Sequence, residues 1–495
     1  LGTVRQPVNA EPVAASGAPQ SFATIFEKVS PAVVSIDITG RASPSEVALG
    51  QGSDGQPVPF PFPFPFGFGE GQGGSQPFQF HRFGGGQPDG RDLPKMRASG
   101  SGFFISADGY IVTNNHVVEN AETITVRTTD KRVLKARLIG RDPATDLAVI
   151  KVDGGDHPFV TFEDSAKPRV GDWVVAIGNP FGLGGTATAG IVSALGRENV
   201  ADSSLIDYMQ IDAPINRGNS GGPTFDVYGR VVGVNTAIYT PSGGSVGIGF
   251  DIPADVASSI TRQLIANGKV RHGYIGATIQ GISPDMAASL GLKTTDGAIV
   301  SALTSGGPAE RSGLRIGDVV LAVNGKTVTS ASDLTRQVAF SHPNDTLRLT
   351  LLRDDRRQEI ELQAGLRPSE AELARAGGQG DEDDGPAAGA SDRGPHVLGM
   401  RLAELDQAMR ERFNLGGSAH GVVVETVGKD SDAADKGLKI GDVIVKAGAR
   451  AARQPADVSA AVADARREGR KSVLLLVNRD GQTVFVPVEV GKALG

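Results

Sequence analysis

The sequence predicts a mainly β protein, with a barrel-forming first half followed by two β-rich α+β modules. Three observations carry this. Apolar runs of strand length recur from Gly100 to Phe250, separated by glycine-bearing turns, the pattern of sheets that fold into barrels. No alternation of strand and helix interrupts them, which excludes a parallel α/β sheet. Beyond that region the chain repeats: Gly297-Ala298-Ile299-Val300 and Gly313-Leu314-Arg315-Ile316-Gly317-Asp318 return 124 positions later as Gly421–Val424 and Gly437–Asp442.

The 495 residues suit about three domains at ~150 residues each. A net charge of −7 with dispersed lysine and arginine gives no basic patch for nucleic acid. The longest apolar runs fall well short of the ~20 residues that span a bilayer, so no transmembrane anchor is expected. The chain contains no cysteine, which removes disulfides, thiolate metal sites and cysteine nucleophiles. It begins Leu1-Gly2-Thr3 without an initiator methionine, consistent with a removed signal peptide or with trimming.

Taken in order, residues 1–20 read as a flexible tail, and Phe22 to about Asp37 as strand-like. Residues 41–95 contain the alternating proline and phenylalanine of Pro59–Phe66 and then glycine-rich sequence, which blocks helix and central strand. Two readings stay open for this insertion: a disordered linker, or a sticky inter-subunit or substrate-sensing loop. Gly102–Ile105 and Tyr110–Thr113 flank Asp108-Gly109 as a hairpin. Further strands are expected at Trp173–Ile177, Ala189–Ala194, Met209–Ile211, Val231–Asn235 and Gly247–Phe250. A helix over Ile252–Lys269 closes the region, with Val256, Ile260 and Leu264 in register and Gly268 as its stop. Residues 367–395 form an acidic linker between the repeats.

The stretch Arg217-Gly218-Asn219-Ser220-Gly221-Gly222-Pro223 carries the chemistry. A serine at a glycine-lined turn offers a hydroxyl beside exposed backbone N–H groups, which suits acyl transfer. The hydroxyl needs a base within hydrogen-bond reach. Of seven histidines, His81 lies in the insertion and His272, His342, His396 and His420 in the repeats. Of the remaining two, His116 precedes an aspartate, Asp146, at an ordered strand edge, whereas His157 follows it. His116, Asp146 and Ser220 occur in the chain order of chymotrypsin-like β-barrel proteases. The N–H groups of Gly218 and Ser220, with Asn219 shaping the turn, are the candidate oxyanion donors, and Arg217 is placed to tie the loop to a neighbour. No metal-ligand cluster or phosphate loop competes, and no cofactor is expected.

Thr113–Val118, Thr145–Val149, Ala176–Gly182 and Asn216–Gly222 together resemble the HtrA/DegP (protease Do) family of serine endoproteases, and the two repeats resemble PDZ domains. The likeness covers roughly residues 21–490. It implies a chymotrypsin-like double β-barrel protease domain over 21–262, a first PDZ domain over 263–366 and a second over 396–490. It also implies a periplasmic, ATP-independent protease that degrades misfolded proteins and acts as a chaperone, assembled as trimers or multiples of trimers. By the same resemblance, Ile215, Ile238 and Tyr239 line a small apolar specificity pocket, although Tyr239 stands where a smaller aliphatic residue is usual. Arg197 falls in the sensor loop, Phe22 and Phe26 at a trimer interface, and residues 41–95 in the variable regulatory loop.

In the first repeat, Tyr274-Ile275-Gly276-Ala277 offers N–H groups to a C-terminal carboxylate. The peptide would add a strand at Thr278–Ile282, facing a helix over Ser332–Phe340. Val397-Leu398-Gly399-Met400 is the second repeat's counterpart, displaced by one residue from the repeat offset, and either binds peptide or serves oligomer contacts. A non-catalytic chaperone or PDZ scaffold is the alternative to a protease for the whole chain.

Overall fold

The computed structural model describes residues 21–41 and 95–490, apart from 164–166, 181–183, 199, 201–204, 217, 240–244, 355, 370–371, 374–395, 414, 416–418 and 480. The expected tail, nearly all of the 41–95 insertion, most of the 367–395 linker and Arg217 lie outside the described residues. The chain divides into two compact units, Leu1–Val270 and Arg271–Gly495.

In the first unit twelve strands close two six-stranded barrels. The first comprises β1 (Val33–Arg41), β2 (Lys95–Phe104), β3 (Tyr110–Asn114), β4 (Ala121–Arg127), β5 (Val133–Asp142) and β6 (Leu147–Val152), in the order β1-β2-β3-β6-β5-β4. The second comprises β7 (Trp173–Gly178), β8 (Thr186–Arg197), β9 (Tyr208–Ile211), β10 (Pro223–Phe225), β11 (Val231–Ile238) and β12 (Gly249–Pro253), in the order β10-β11-β12-β9-β8-β7.

Alternation along each strand divides the apolar side chains between two destinations. Val34, Ile36 and Ile38 fill the first barrel with Phe104, Ile111 and Ile150. Val174, Ala176, Met209 and Ile211 fill the second. Residues of opposite parity, among them Phe103, Val112, Leu147, Ile177, Phe225 and Phe250, pack with one another into a core shared by both barrels. Helix α2 (Ala254–Asn267) buries Ala257, Ile260 and Leu264 in that core and ends at Gly268. It starts two residues later than expected because Ile252 and Pro253 belong to β12.

One expectation is corrected. Phe22–Asp37 is not strand throughout, because Ala23–Val29 is a helix, α1, followed by a 3-10 turn over Ser30–Ala32. Phe22, Ile25, Phe26 and Val29 recur at three- and four-residue spacing, and that face packs on the shared core. The helical period therefore prevails, and Pro31 marks the change to strand.

In the second unit the first repeat forms the sheet β14 (Ala277–Gly281), β15 (Ala298–Leu303), β16 (Val319–Val323), β18 (Thr346–Arg353) and β19 (Arg356–Gln363), with β17 (Lys326–Thr327) paired to β16. Ahead of it, β13 (Gly273–Tyr274) pairs with β20 (Gly365–Leu366). The second repeat forms β21 (His396–Val397), β22 (Met400–Glu404), β23 (Val422–Val427), β24 (Val443–Ala447), β26 (Ser472–Arg479) and β27 (Gln482–Glu489), with β25 (Arg450–Ala451) paired to β24.

Each repeat carries the same internal ion pair. Arg353 grips Asp318 through Nε (2.7 Å) and Nη2 (2.6 Å), and Arg479 grips Asp442 with the same two distances. The repeats also share a core, in which Ile282, Met286, Ala287, Ile299 and Val319 of the first pack with Leu474, Leu476 and Phe485 of the second. Across it the Gln280 amide makes two bonds to the Phe485 backbone, donating to its carbonyl and accepting from its N–H, both at 2.8 Å.

Candidate active site

His116 sits in the helical turn Asn115–Val118, directly after β3. Asp146 ends the loop that feeds β6, and β3 and β6 pair so that Asn114 lies opposite Leu147. This register brings the two side chains together. Asp146 Oδ2 lies 2.7 Å from His116 Nδ1, and Asp146 Oδ1 accepts the His116 backbone N–H at 3.0 Å. The carboxylate thus fixes both the position and the ring orientation of the histidine. Asp146 adopts a left-handed backbone (φ 54°), which a short polar residue tolerates. Its carbonyl accepts from Asn115 N–H at 3.0 Å and Asn114 Nδ2 at 2.9 Å, which holds that conformation.

Both side chains are nearly buried, 12% exposed for His116 and 18% for Asp146. Burial depresses the imidazolium, but the Asp146 charge and hydrogen bond, with a smaller contribution from Glu119, outweigh it. His116 therefore titrates above its ordinary value of 6.5.

Ser220 lies on the loop that leads into β10, with its backbone pinned from both barrels. Ser101 N–H donates to the Ser220 carbonyl at 2.9 Å. On the other side, Gly221 N–H donates to the Asn235 carbonyl (2.8 Å) and Asn235 N–H donates to the Gly222 carbonyl (2.9 Å). Gly221 is left-handed (φ 83°), and a methyl group there would overlap Thr113 Oγ1 and the backbone of Ser101 and Asn114. The serine loop is therefore pressed onto the strand end that carries His116, an approach only glycine permits.

Gly218 (φ 95°) and the buried Asn219 lead into Ser220. Ser101, fully buried, acts here in a way the sequence reading missed. Its Oγ donates to the Gly218 carbonyl at 2.6 Å and accepts Asn179 N–H at 2.8 Å. The signal lay in Gly100-Ser101-Gly102, a small polar residue between glycines directly before the apolar run Phe103-Phe104-Ile105. Ser101→Ala leaves two buried backbone groups without this partner, at about 1–3 kcal/mol each. We expect cleavage to slow roughly ten- to a hundredfold in kcat, with KM little changed, as read by steady-state kinetics.

The other predicted residues fall in several places. Ile215 and Ile238 are both buried in the core of the second barrel, and the Tyr239 side chain is exposed. Arg197, at the end of β8, bonds Gln210 Oε1 through Nε at 2.8 Å. Phe22 packs on Trp173 with ring centroids 5.9 Å apart, and Phe26 lies against the shared core.

In the first repeat Tyr274-Ile275-Gly276-Ala277 leads onto β14, which is the edge strand of its sheet. Gly276 is left-handed (φ 72°), and its carbonyl accepts from Thr304 N–H at 2.9 Å. The facing helix, α3 (Ala331–Ala339), contributes Leu334 and Val338 to the cluster that Ala277 and Ile279 join. In the second repeat Val397 and Met400 are buried, while Leu398 (φ 56°) and Gly399 (φ 78°) form the turn of a hairpin. There β21 pairs with β22 itself, His396 opposite Arg401, so the start of that edge is already taken. Among the described residues no group of histidine, aspartate and glutamate is set to hold a metal, and no helix is long and apolar enough to cross a membrane.

Two barrels around a shared core, with histidine, aspartate and serine brought to their junction, define a trypsin-like peptidase. The trypsin-like peptidase domain family matches residues 100–234, and the PDZ domain family matches residues 273–364 and 396–490. A probable periplasmic serine endoprotease, DegP-like, of Brucella suis biovar 1 is 41% identical over 504 aligned positions, covering 99% of this chain and 94% of the relative. Its namesake from Rhizobium meliloti is 41% identical over 95% of this chain and 92% of its own. Among solved structures, the HtrA-type protease AlgW with decapeptide is 37% identical at a TM-score of 0.55, covering 70% of this chain and 99% of that one. The chain belongs to the DegP-like branch of the HtrA serine endoproteases and is a serine endopeptidase.

Proposed function

We propose that His116, Asp146 and Ser220 form the catalytic triad of an endoprotease for unfolded polypeptides. The observation that carries this is the 2.7 Å bond between His116 Nδ1 and Asp146 Oδ2, beside a serine loop pressed onto the same strand end. In this reading Asp146 keeps the proton of the neutral ring on Nδ1, so that Nε2 is the base that takes the proton of Ser220 as its oxygen attacks the scissile carbonyl. The N–H groups of Gly218 and Ser220, with Asn219 shaping the turn, receive the negative charge on the tetrahedral oxygen. His116 then protonates the leaving amine, and water hydrolyses the acyl-enzyme by the same relay. No nucleotide or metal enters these steps.

Ile215, Ile238 and Tyr239 shape the pocket for the residue before the cut, and Arg197 belongs to the loop that adjusts the site. The free edge at β14 and the loop Tyr274–Ala277 suit the C-terminus of a peptide, which adds a strand there. The hairpin Val397–Met400 makes the second repeat the poorer binder. The apolar surface formed by α1 with Trp173 (40% exposed) and Tyr228 (79% exposed) suits a trimer contact. A periplasmic setting and holdase activity follow the family. The domain limits are 21–262 for the protease, 263–366 and 396–490 for the PDZ modules, and 367–395 for the linker.

The test is degradation of a disulfide-free unfolded protein at neutral pH without nucleotide, with and without a hydrophobic C-terminal peptide. Fragments cut at internal positions, formed faster with the peptide, are expected. A folded control should survive. Holdase activity without any cleavage, peptide present, would favour the scaffold reading instead.

A further inference from the structure

We propose that Asp251 is a positioning residue for the serine loop: its buried carboxyl, inside the second barrel, supports the Thr224–Asn235 pair from which that loop hangs. The proposal rests on the reading of Ser220 as nucleophile.

Asp251 lies on β12 between Phe250 and Ile252, both of which face the core shared by the barrels. Its own side chain therefore points into the second barrel. It is fully buried, and the Thr224 hydroxyl stands beside its carboxyl without the geometry of a regular hydrogen bond. Its cross-strand neighbours are Asn235 on β11 and Met209 on β9. The space it fills exists because residue 233 is glycine, where a methyl group would come within 3.0 Å of Asp251 Oδ2.

Among the described residues no opposite charge is paired with it. The segments Trp173–Gly178, Pro223–Phe225 and Val231–Ile238 contain no ionisable side chain. On β8 the one charged residue is Arg197, at the exposed far end and bonded to Gln210. Tyr208 on β9 turns to the opposite face, against Phe250. Just beyond these strands, Asp212 accepts Ile191 N–H, and Asp226 is paired with Arg230. Burial pushes the Asp251 carboxyl up to about 7, and the Thr224 hydroxyl offsets only part of that.

What lies next to the carboxyl gives it a task. Thr224 Oγ1 donates its proton to Asn235 Oδ1 at 2.8 Å. While that proton points to Asn235 the threonine oxygen is left to accept; turned towards a carboxylate, the same hydroxyl would give up the Asn235 bond. A protonated Asp251 is able to donate to it, whereas a carboxylate is not. The buried Asn235 Nδ2 also has no partner. Ionisation would place an anion beside this donor and beside the threonine proton, drawing both away from their present arrangement. The same Asn235 holds Gly221 and Gly222 through its two backbone bonds, one and two residues from Ser220. Proton loss at Asp251 thus loosens the serine loop without touching substrate.

The experiment compares wild type with Asp251→Asn, which keeps shape and cannot ionise, in kcat and KM from pH 5.5 to 9.5 and in melting temperature at both ends. The wild-type kcat is expected to fall on the alkaline side and the variant's to stay level, so that their ratio grows about tenfold between pH 6 and 9 with KM unmoved. The variant's melting temperature should gain more at pH 9.5 than at pH 5.5, because the cost of the raised carboxyl grows from its ordinary value of 3.8 upward and is complete only above about 7. Asp251→Ala serves if the asparagine variant folds poorly, and should lose the alkaline fall at a lower ceiling. Parallel kcat profiles, or equal melting shifts at both ends, overturn the proposal. Cleavage that survives Ser220→Ala would instead overturn the nucleophile assignment, and the melting comparison stands apart from that result.

Discussion

Ser220→Ala is expected to lower kcat on an unfolded polypeptide by roughly 10⁶-fold while leaving the fold and peptide binding intact. The size follows from what the hydroxyl does. Without it no acyl-enzyme forms, and neither His116 nor the loop N–H groups have a nucleophile to serve. The substitution removes one oxygen from a buried loop whose backbone bonds to Ser101 and Asn235 do not involve it. Melting temperature should move by a few degrees at most, and a bound C-terminal peptide should still be retained by the first repeat. The measurements are fragment release and a thermal melt on the same preparation. Cleavage retained at more than a hundredth of the wild-type rate would mean that another residue is the nucleophile.

Asp146→Asn should cost about 10⁴-fold in kcat, because the amide can stabilise the wrong tautomer and no longer balances the imidazolium. The variant also tests the electrostatics. In the wild type burial pulls the His116 pKa down, and Asp146, with help from Glu119, more than restores it, so the acid limb of activity lies above the ordinary histidine value of 6.5. Removing the carboxylate leaves burial dominant, and the residual activity should persist to lower pH than in the wild type. The pair also stabilises the folded state most below pH 6.5, an advantage lost as pH rises through the folded value. An acid limb that stays in place in Asp146→Asn would dissociate His116 from catalysis.

Much of the fold was legible because its signals are local. Glycine turns and short apolar runs mark the strands around His116 and Asp146, and Asp108-Gly109 marks a hairpin that the structure contains. The two repeats show in their matched segments at a constant offset, and their PDZ character in the family resemblance. What escaped depends on distant partners. Helix α1 reads as strand in the sequence because its apolar residues run on towards Val33-Val34, and its apolar face has meaning only against the shared core. Ser101 acts through Asn179 and Gly218, 78 and 117 positions away, and Asp251 stands beside Asn235 and Thr224, 16 and 27 positions away, separations that no periodicity reveals. Arg353 and Arg479 do equivalent work in the two repeats, yet they stand 126 apart instead of 124, so the constant offset hid the match. The hairpin at Leu398-Gly399 was visible as a one-residue displacement, but its pairing partner was not.

The core that joins Met286 and Ile299 to Leu476 and Phe485, with Gln280 fastened to the Phe485 backbone, has a mechanical consequence. The two repeats are not beads on a string. A protease that nicked the chain between them would leave a noncovalent pair, and a truncation after the first repeat would lay bare an oily face that water must then cover. Evolution is accordingly less free to shed or exchange the second repeat than the segment-by-segment appearance of the sequence suggests.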